Sequence, residues 1–261
     1  MSFRTRRTLG QTNLSVSSLG IGASYGVGSD AIEAAYHEHG VNLMYWGSIR
    51  RPGMKKAIRN LKSHRDDLVI VLQTYDRSGM LMPLFHRKGL RALGIERADL
   101  LLLGWFNSDP PNRILDQALE LKEAGLVRHL AISGHHRPFQ GELMEREESP
   151  FDVVMTRYNP AHPGAEEDIF PRVPAVRRGL MAYTATCWGK LLDPKRMPEG
   201  EAPLTASECY RFALSSPHID TCMTGPKDAD QLAEALKALD DGPLSQEEME
   251  RARRIGAFVH G

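Results

Sequence analysis

The chain has 261 residues, of which 41% are hydrophobic, 25% charged and 7% aromatic. Its 33 basic residues balance 33 acidic ones, which argues against the strong positive field of a nucleic-acid-binding protein. The apolar runs fall short of the roughly 18 residues of a membrane helix, so no membrane partner is expected. The three cysteines cannot all pair, and the N-terminus lacks an apolar signal stretch. We therefore expect a cytoplasmic protein with reduced thiols.

The first predicted element is a β-hairpin. Strand-forming residues 4–9 and 14–16 flank the Gly-Gln-Thr-Asn sequence of residues 10–13, which is typical of a turn. Because this hairpin precedes every other strand, we expect it to cap one end of the domain that follows.

Eight short apolar runs come next, and most of them are rich in Val, Ile or Leu. Near-continuous apolarity indicates strands that are buried on both faces, as in a parallel sheet covered by helices. The runs span residues 18–23, 41–46, 68–74, 99–105, 127–133, 151–158, 179–185 and 219–225.

Amphipathic stretches with helical spacing separate these runs. Helices are predicted over residues 30–39, 114–124, 228–239 and 245–258. Ser29 or Asp30 is the expected N-cap of the first, and Ser245 with Glu248 forms a capping box for the last.

The alternation of eight strands with helices over about 250 residues predicts a (β/α)8 TIM barrel with an N-terminal β-hairpin cap, formed as one domain by residues 1–261. The rival is a doubly wound open sheet, which carries a GxGxxG fingerprint after its first strand. Residues 20–26 read GxGxxxG and miss that spacing by one residue, so the barrel is favoured.

Longer sequence blocks carry a family resemblance. The opening RTLGQTNLSVSSLGIGA joins the hairpin to a strand that ends in glycines, and the strand blocks follow in register as HGVNLMYWG, DDLVIVLQT, IERADLLLLGW, GLVRHLAISG, FDVVMTRYNP, GLMAYTATCWGKLL and TGPKDADQLAEAL. This series resembles the aldo/keto reductases. That resemblance implies a barrel that reduces carbonyls with a nicotinamide dinucleotide, usually NADPH.

The resemblance also assigns catalytic positions. Members use Asp, Tyr, Lys and His at the ends of the second to fourth barrel strands: Tyr protonates the carbonyl oxygen, Lys lowers its pKa, Asp orients Lys, and His positions the substrate. Those positions hold Tyr45, Arg50, Gln73 and Gly104 here. Gln73 has no charge with which to tune a phenol for acid catalysis. We therefore expect altered catalytic groups, with Tyr45 or Tyr75 in place of the lost phenol.

The cofactor positions implied by the resemblance are partly kept. Ser133 matches the serine that binds the nicotinamide carboxamide, and Tyr183, followed by Thr184, matches the tyrosine that stacks on the nicotinamide ring. The asparagine beside that serine is Gly134, and the glutamine of the sixth strand is Met155.

The region that reads the 2′-phosphate in the family is depleted of cations. Its basic and hydroxyl positions hold Gly225 and Pro226, its arginine is Gln231, and only its acid is kept, as Glu234. With Lys227 as the nearby cation, we expect NADH or NADPH to bind with little difference between them.

Polar residues follow several predicted strands and should meet at the barrel mouth, because barrel enzymes build their sites on the loops after the strands. Gln73 and Tyr75 lie two residues apart and project from the same face of their strand end. Tyr45 and Trp46 form either a phenol acid beside an aromatic wall or two aromatic fillers of the barrel top. His135, His136 and His162 lack metal-ligand spacing, so no metal is expected.

Two functions remain open. The first is a nicotinamide-dependent carbonyl/alcohol oxidoreductase of the aldo/keto reductase type with altered catalytic groups. The second is a barrel without redox chemistry: a pseudoenzyme, a ligand-binding barrel, or a lyase or isomerase. The short segment after the fourth strand and the end of the chain directly after the last helix predict a wide, shallow mouth, which suits a bulky small-molecule substrate or a protein partner. The sequence does not indicate an oligomeric state.

Overall fold

Eight parallel strands close into a barrel in a computed structural model that describes residues 2–47 and 52–260. Neighbouring strands follow chain order around the barrel, and the last strand pairs with the first. The barrel strands are β3 (Leu19–Gly22), β4 (Leu43–Trp46), β5 (Val69–Thr74), β6 (Ala98–Leu103), β7 (Val127–Ser133), β8 (Val153–Arg157), β9 (Gly179–Tyr183) and β10 (Thr221–Thr224). The predicted (β/α)8 barrel is therefore confirmed.

Helices cover the outer face of the barrel. They are α1 (Ser29–His39), α2 (Pro52–Asn60), α3 (Met82–Leu93), α4 (Asn112–Glu123), α5 (Arg137–Glu145), α6 (Ala165–Asp168), α7 (Ala206–Leu214), α8 (Ala229–Asp241) and α9 (Gln246–His260). Helices α1 to α7 lie in the connections between successive strands, and α8 and α9 follow the last strand. Within the described residues, no helix is long and apolar enough to cross a bilayer.

The helix ends agree only partly with the predicted caps. Ser245 and Glu248 form the expected reciprocal pair of hydrogen bonds at the start of α9. At α1 the prediction was wrong: Gly28 is the N-cap, and no side chain caps the helix. The Ser29 hydroxyl is turned to the Asp30 carboxylate instead, at 2.9 Å.

The N-terminal hairpin closes the bottom of the barrel, as the sequence predicted. Its strands β1 (Arg7–Thr8) and β2 (Ser15–Val16) pair antiparallel. The buried side chains of Leu9, Leu14 and Val16 pack into the barrel interior against residues at the starts of the strands. This apolar plug keeps water out of the bottom, so the interior opens at the carboxyl ends of the strands.

The Asp152 carboxylate, directly before β8, connects neighbouring elements on the outside of the barrel. Asp152 accepts hydrogen bonds from the Lys122 ammonium at 2.9 Å and the Leu130 backbone N–H at 3.0 Å. Burial alone would raise the pKa of Asp152, but the hydrogen bonds from His129 and Lys122 outweigh it and hold the pKa at about 2. The carboxylate therefore stays charged and ties α4 to β7 and β8.

Candidate functional site

The open end of the barrel collects the residues that the sequence predicted for the site. Tyr45, Gln73, Ser133 and Tyr183 all lie at the carboxyl ends of their strands. Tyr45 and Tyr183 pack on the apolar interior layer, so their side chains form the floor of the mouth. Arg50, the remaining predicted catalytic residue, lies outside the described residues.

A phenol and an amide meet on this floor. The Tyr45 hydroxyl donates a short hydrogen bond to the Gln73 side-chain carbonyl oxygen. The pKa of Tyr45 is raised well above its usual value, chiefly by burial and then by the nearby phenols of Tyr75 and Tyr183. Gln73 therefore stabilises the neutral phenol, whereas a lysine at this position would favour its ionised form.

Gly104 leaves the space into which these side chains fit. A Cβ atom at Gly104 would stand 2.4 Å from Gln73 Nε2 and 2.5 Å from Tyr75 Cε1. The Tyr75 ring also packs against Trp105, with ring centroids 5.1 Å apart and the ring planes tilted by 52°, and its side chain is half exposed. The amide and the ring thus occupy the volume that any larger residue at the end of β6 would need.

The loop after β6 closes over Ser133. The Phe106 N–H donates to the Ser133 carbonyl at 2.8 Å, and the Trp105 N–H reaches the Ser133 hydroxyl at 3.4 Å. Arg77 fixes the same loop, since its guanidinium donates to the carbonyls of Gly104 and Trp105 and lies 4.0 Å above the Phe106 ring. Among the described residues the Ser133 hydroxyl donates to no acceptor, so it can donate to a ligand.

Tyr183 forms a second polar pair at the rim. Its hydroxyl lies 3.3 Å from the Gly134 carbonyl oxygen and 3.3 Å from His135 Nδ1. Burial raises the pKa of Tyr183 to about 12, although the positive charge of Arg157 acts in the opposite direction. Burial and Arg157 both lower the pKa of His135, so its imidazole is neutral at pH 7. Both members of the pair are therefore uncharged at this pH.

The turn after β9 has strained backbone beside this pair. Thr184, Cys187 and Trp188 all have positive φ, at 61°, 50° and 55°, a conformation that costs non-glycine residues about 1 kcal/mol or more each. Cys187 is buried and reduced, with its sulfur 3.7 Å from His162 Nδ1. Such strain is concentrated at functional sites, and this turn places the exposed Trp188 ring at the rim.

The residues at the positions that read the 2′-phosphate in the family are engaged with the protein itself. The Tyr25 ring covers Gly225, because a Cβ there would lie 2.7 Å from it. The Gln231 side chain accepts a hydrogen bond from the Lys227 N–H, and Glu234 forms an ion pair with Lys237 on the same helix. None of these positions holds an arginine, and the two polar side chains among them are already bonded within the protein.

Trp46 does not contribute to the mouth, which corrects the aromatic-wall interpretation. Its side chain is buried between the barrel and α3, where a Cβ on Gly89 would touch its ring at 3.3 Å. Adjacent strand residues point to opposite faces, so Tyr45 faces the interior and Trp46 faces the helices. Among the residues that the structure describes, no group of three or more His, Cys, Asp or Glu side chains could hold a metal ion.

The comparisons with known proteins agree with this geometry. The model of the aldo/keto reductase family matches residues 54–201, which is more than half of the chain. The chain belongs to the aldo/keto reductase family. No curated protein matches its sequence significantly.

Solved aldo/keto reductases share its fold at low sequence identity. The holo form of aldo-keto reductase AKR11C1 from Bacillus halodurans superposes with a TM-score of 0.75, at 21% identity and over 96% of each chain. Its apo form gives a TM-score of 0.72 at 22% identity, covering 96% of this chain and 95% of that one. PA4992 of Pseudomonas aeruginosa, described as an aldo-keto reductase, gives 0.66 at 19% identity over 90% of this chain and 96% of its own.

The sequence places His135 and Arg157 among the polar residues of the mouth of this aldo/keto reductase fold, without a catalytic or cofactor role for either. In the structure His135 contacts the Tyr183 hydroxyl, and Arg157 ends β8 in register with Tyr183. The strand period agrees with the position of Arg157, because it lies two residues after the inward-facing Met155. No local pattern predicts the contact of His135, which depends on how the loop after β7 turns.

Proposed function

We propose that this chain is a nicotinamide-dependent oxidoreductase that interconverts a carbonyl and an alcohol. Family membership supports the reaction class. The observation that carries the proposal is the floor of the mouth, where the Tyr45 and Tyr183 phenols and the Ser133 hydroxyl converge beside an apolar layer. In the reducing direction a carbonyl, NAD(P)H and a proton give an alcohol and NAD(P)⁺.

The nicotinamide end of the cofactor fits the residues present. The Ser133 hydroxyl has a hydrogen to donate to the carboxamide, and the half-buried Tyr183 ring offers a stacking face. When bound, the cofactor supplies or accepts the hydride. The residues near α8 offer no fork of donors to a 2′-phosphate, since Gln231 and Glu234 are bonded within the protein. Both NADH and NADPH are therefore accepted.

Tyr45 is the proton donor in this proposal, with Gln73 as its positioning partner. The phenolic hydrogen leaves the Gln73 carbonyl oxygen and passes to the substrate oxygen as the carbonyl is reduced. A phenol whose pKa is raised by burial is a weaker acid than a lysine-tuned one, so reduction is slow. Tyr75 is the alternative donor, because its ring lies beside Gln73.

The substrate is a small molecule, and the short segment after β6 leaves room for a bulky one. The three unpaired cysteines among the described residues support a cytoplasmic location.

The same raised pKa of Tyr45 favours a second candidate, a barrel without redox chemistry. In that case the mouth would bind a ligand, or would carry out a lyase or isomerase reaction with its phenols and neutral histidine. Such a protein would have no need for a dinucleotide.

Cofactor titration separates the two candidates. NADH and NADPH should each quench protein fluorescence saturably, and Ser133→Ala should weaken both about 2- to 10-fold through loss of one hydrogen bond. Ser18→Ala is the matched control, because the Ser18 hydroxyl is buried and has no partner among the described residues. If neither dinucleotide binds the wild-type protein, the redox proposal is wrong.

A further inference from the structure

Arg157 places a positive charge in the mouth that has no carboxylate partner among the described residues. It is the last residue of β8, pairs in register with Tyr183, and follows the inward-facing Met155 by two positions. Its guanidinium carbon lies 5.8 Å from the Trp188 ring. The side chain is half-buried and is therefore partly removed from the water that would otherwise solvate its charge.

Nothing that the structure describes neutralises this charge. Within residues 2–47 and 52–260, Arg157 makes no side-chain hydrogen bond and has no carboxylate within ion-pair distance. Two other arginines removed from solvent are paired: the half-buried Arg177 binds both oxygens of Asp220, and the buried Arg211 binds both oxygens of Glu248. A half-buried guanidinium with five unused donors is costly unless an anion completes it.

The groups around Arg157 do not compete for its charge. Two histidines face it: His135 from the loop after β7, and His162 from the loop after β8. Burial lowers the pKa of both, to about 4 for His162, and the charge of Arg157 acts in the same direction. The charges of Lys190 and Arg137 also lower the pKa of His162, so this part of the rim is positive. The guanidinium of Arg157 is therefore free to bind an anionic group.

We propose that Arg157 binds the carboxylate of an organic anion, and that the substrate of the proposed reductase is a carbonyl compound that carries such a carboxylate. The substrate class rests on the proposed function, whereas the binding of a carboxylate by Arg157 does not. The planar fork of a guanidinium matches a carboxylate with two parallel hydrogen bonds. The Trp188 ring beside it offers an apolar face to the body of the ligand, and aromatic carboxylates suit this arrangement.

Benzoate and benzamide make the first test, since they differ in charge and not in shape. Benzoate should bind the wild-type protein without cofactor and quench tryptophan fluorescence, because Trp188 lies beside the guanidinium. Benzamide should bind about 10- to 100-fold more weakly, the difference expected for a hydrogen-bonded charge. Equal binding of the two, or no benzoate binding, would overturn the proposal.

Substitutions of Arg157 test whether this residue causes the preference for benzoate. Arg157→Gln should remove the preference for benzoate, and Arg157→Lys should keep part of it because the charge stays while the fork is lost. Arg196→Gln is the matched control, since Arg196 is exposed and pairs with Asp193 outside the barrel interior. An unchanged benzoate affinity in Arg157→Gln would contradict the assignment. Loss of NADH binding in Arg157→Gln, with benzoate binding intact, would assign the charge to the cofactor pyrophosphate instead.

Turnover separates this site from the proposed function. With saturating cofactor, 4-carboxybenzaldehyde should have a higher kcat/KM than its methyl ester, and Arg157→Gln should abolish the difference mainly through KM. If neither aldehyde is reduced but benzoate still binds through Arg157, the reductase proposal fails and the anion site stands. If both are reduced equally well by the wild-type protein, the reductase stands and the charged substrate class is wrong.

Discussion

Gly134 has no room for a side chain, so Gly134→Ala tests the geometry of the mouth directly. A Cβ atom at this position would lie 2.0 Å from the Phe106 carbonyl oxygen and 3.0 Å from Asn107 Oδ1. The backbone of Gly134 does not need positive φ, so the whole cost arises from overlap. The obstacle is a backbone atom, and the chain itself must move to relieve it.

The loop that would have to move is held at several points. Phe106 is bonded to Ser133 through its N–H, and its ring lies under Arg77. Asn107 Oδ1 accepts the N–H groups of His135 and His136 at 2.7 and 3.1 Å. Overpacking of a site that cannot relax costs about 1–3 kcal/mol, and we expect the upper end here. For a chain of this size that corresponds to a Tm lower by roughly 6–12 °C.

Urea unfolding of wild type, Gly134→Ala and Gly28→Ala measures this cost. Gly28 is the control because a Cβ there would meet nothing within 4 Å, and exchanging Gly for Ala as the N-cap of α1 costs about 1 kcal/mol or less. Both substitutions reduce the entropy of the unfolded chain equally, so that contribution cancels in the comparison. If Gly134→Ala is no less stable than Gly28→Ala, the loop after β6 does not lie where the structure places it.

Three further outcomes are expected. Tyr45→Phe should lower kcat for carbonyl reduction at least roughly 100-fold while Tyr75→Phe changes it less than tenfold, and an unchanged kcat in Tyr45→Phe would exclude Tyr45 as the proton donor. Dissociation constants for NADH and NADPH should agree within about tenfold, whereas a hundredfold preference for NADPH, about 2.7 kcal/mol, would reveal a cation such as Lys227 on the 2′-phosphate. The pKa of Asp152 in the folded protein is about 2, against 3.8 for an ordinary aspartate, so its contribution to stability, of order 1–2 kcal/mol, is present above pH 4 and is lost as the pH falls towards 2. The unfolding free energy of Asp152→Asn should therefore be lower than that of wild type at pH 7 and approach it near pH 2. A difference that stays constant with pH would refute the depressed pKa as the cause.

The sequence predicted the barrel well because burial on both faces leaves a strong signal in every strand. Residues 127–133 were predicted with the observed bounds of β7, and the other strands differ by a few residues at their ends. The capping box of α9 was equally visible, since it depends on two residues three positions apart. The cap of α1 was not, because a serine and an aspartate at the start of a helix can bond to each other instead.

Contacts in the mouth could be predicted only where the alternation of side chains along a strand determines them. Gln73 and Tyr75 share a face and do meet beside Gly104, as their spacing indicated. The contact between Tyr45 and Gln73 joins neighbouring strands, and its chemistry follows from which atoms face each other, which no spacing encodes. The hydrogen bonds from Arg77 to the carbonyls of Gly104 and Trp105 join two irregular loops. Irregular backbone has no periodic sequence pattern from which such contacts could be predicted.

The two small residues at the ends of β6 and β7 also bear on how this mouth could be redesigned. A side chain at Gly104 would collide with Gln73 and Tyr75, and one at Gly134 would collide with the Phe106 backbone. The two obstacles differ in kind, because those at Gly104 are side-chain atoms and that at Gly134 is a backbone carbonyl. A larger residue at Gly104 would need only new rotamers of Gln73 and Tyr75, whereas one at Gly134 would need the loop after β6 to move. Redesign of this mouth is therefore easier at the end of β6 than at the end of β7.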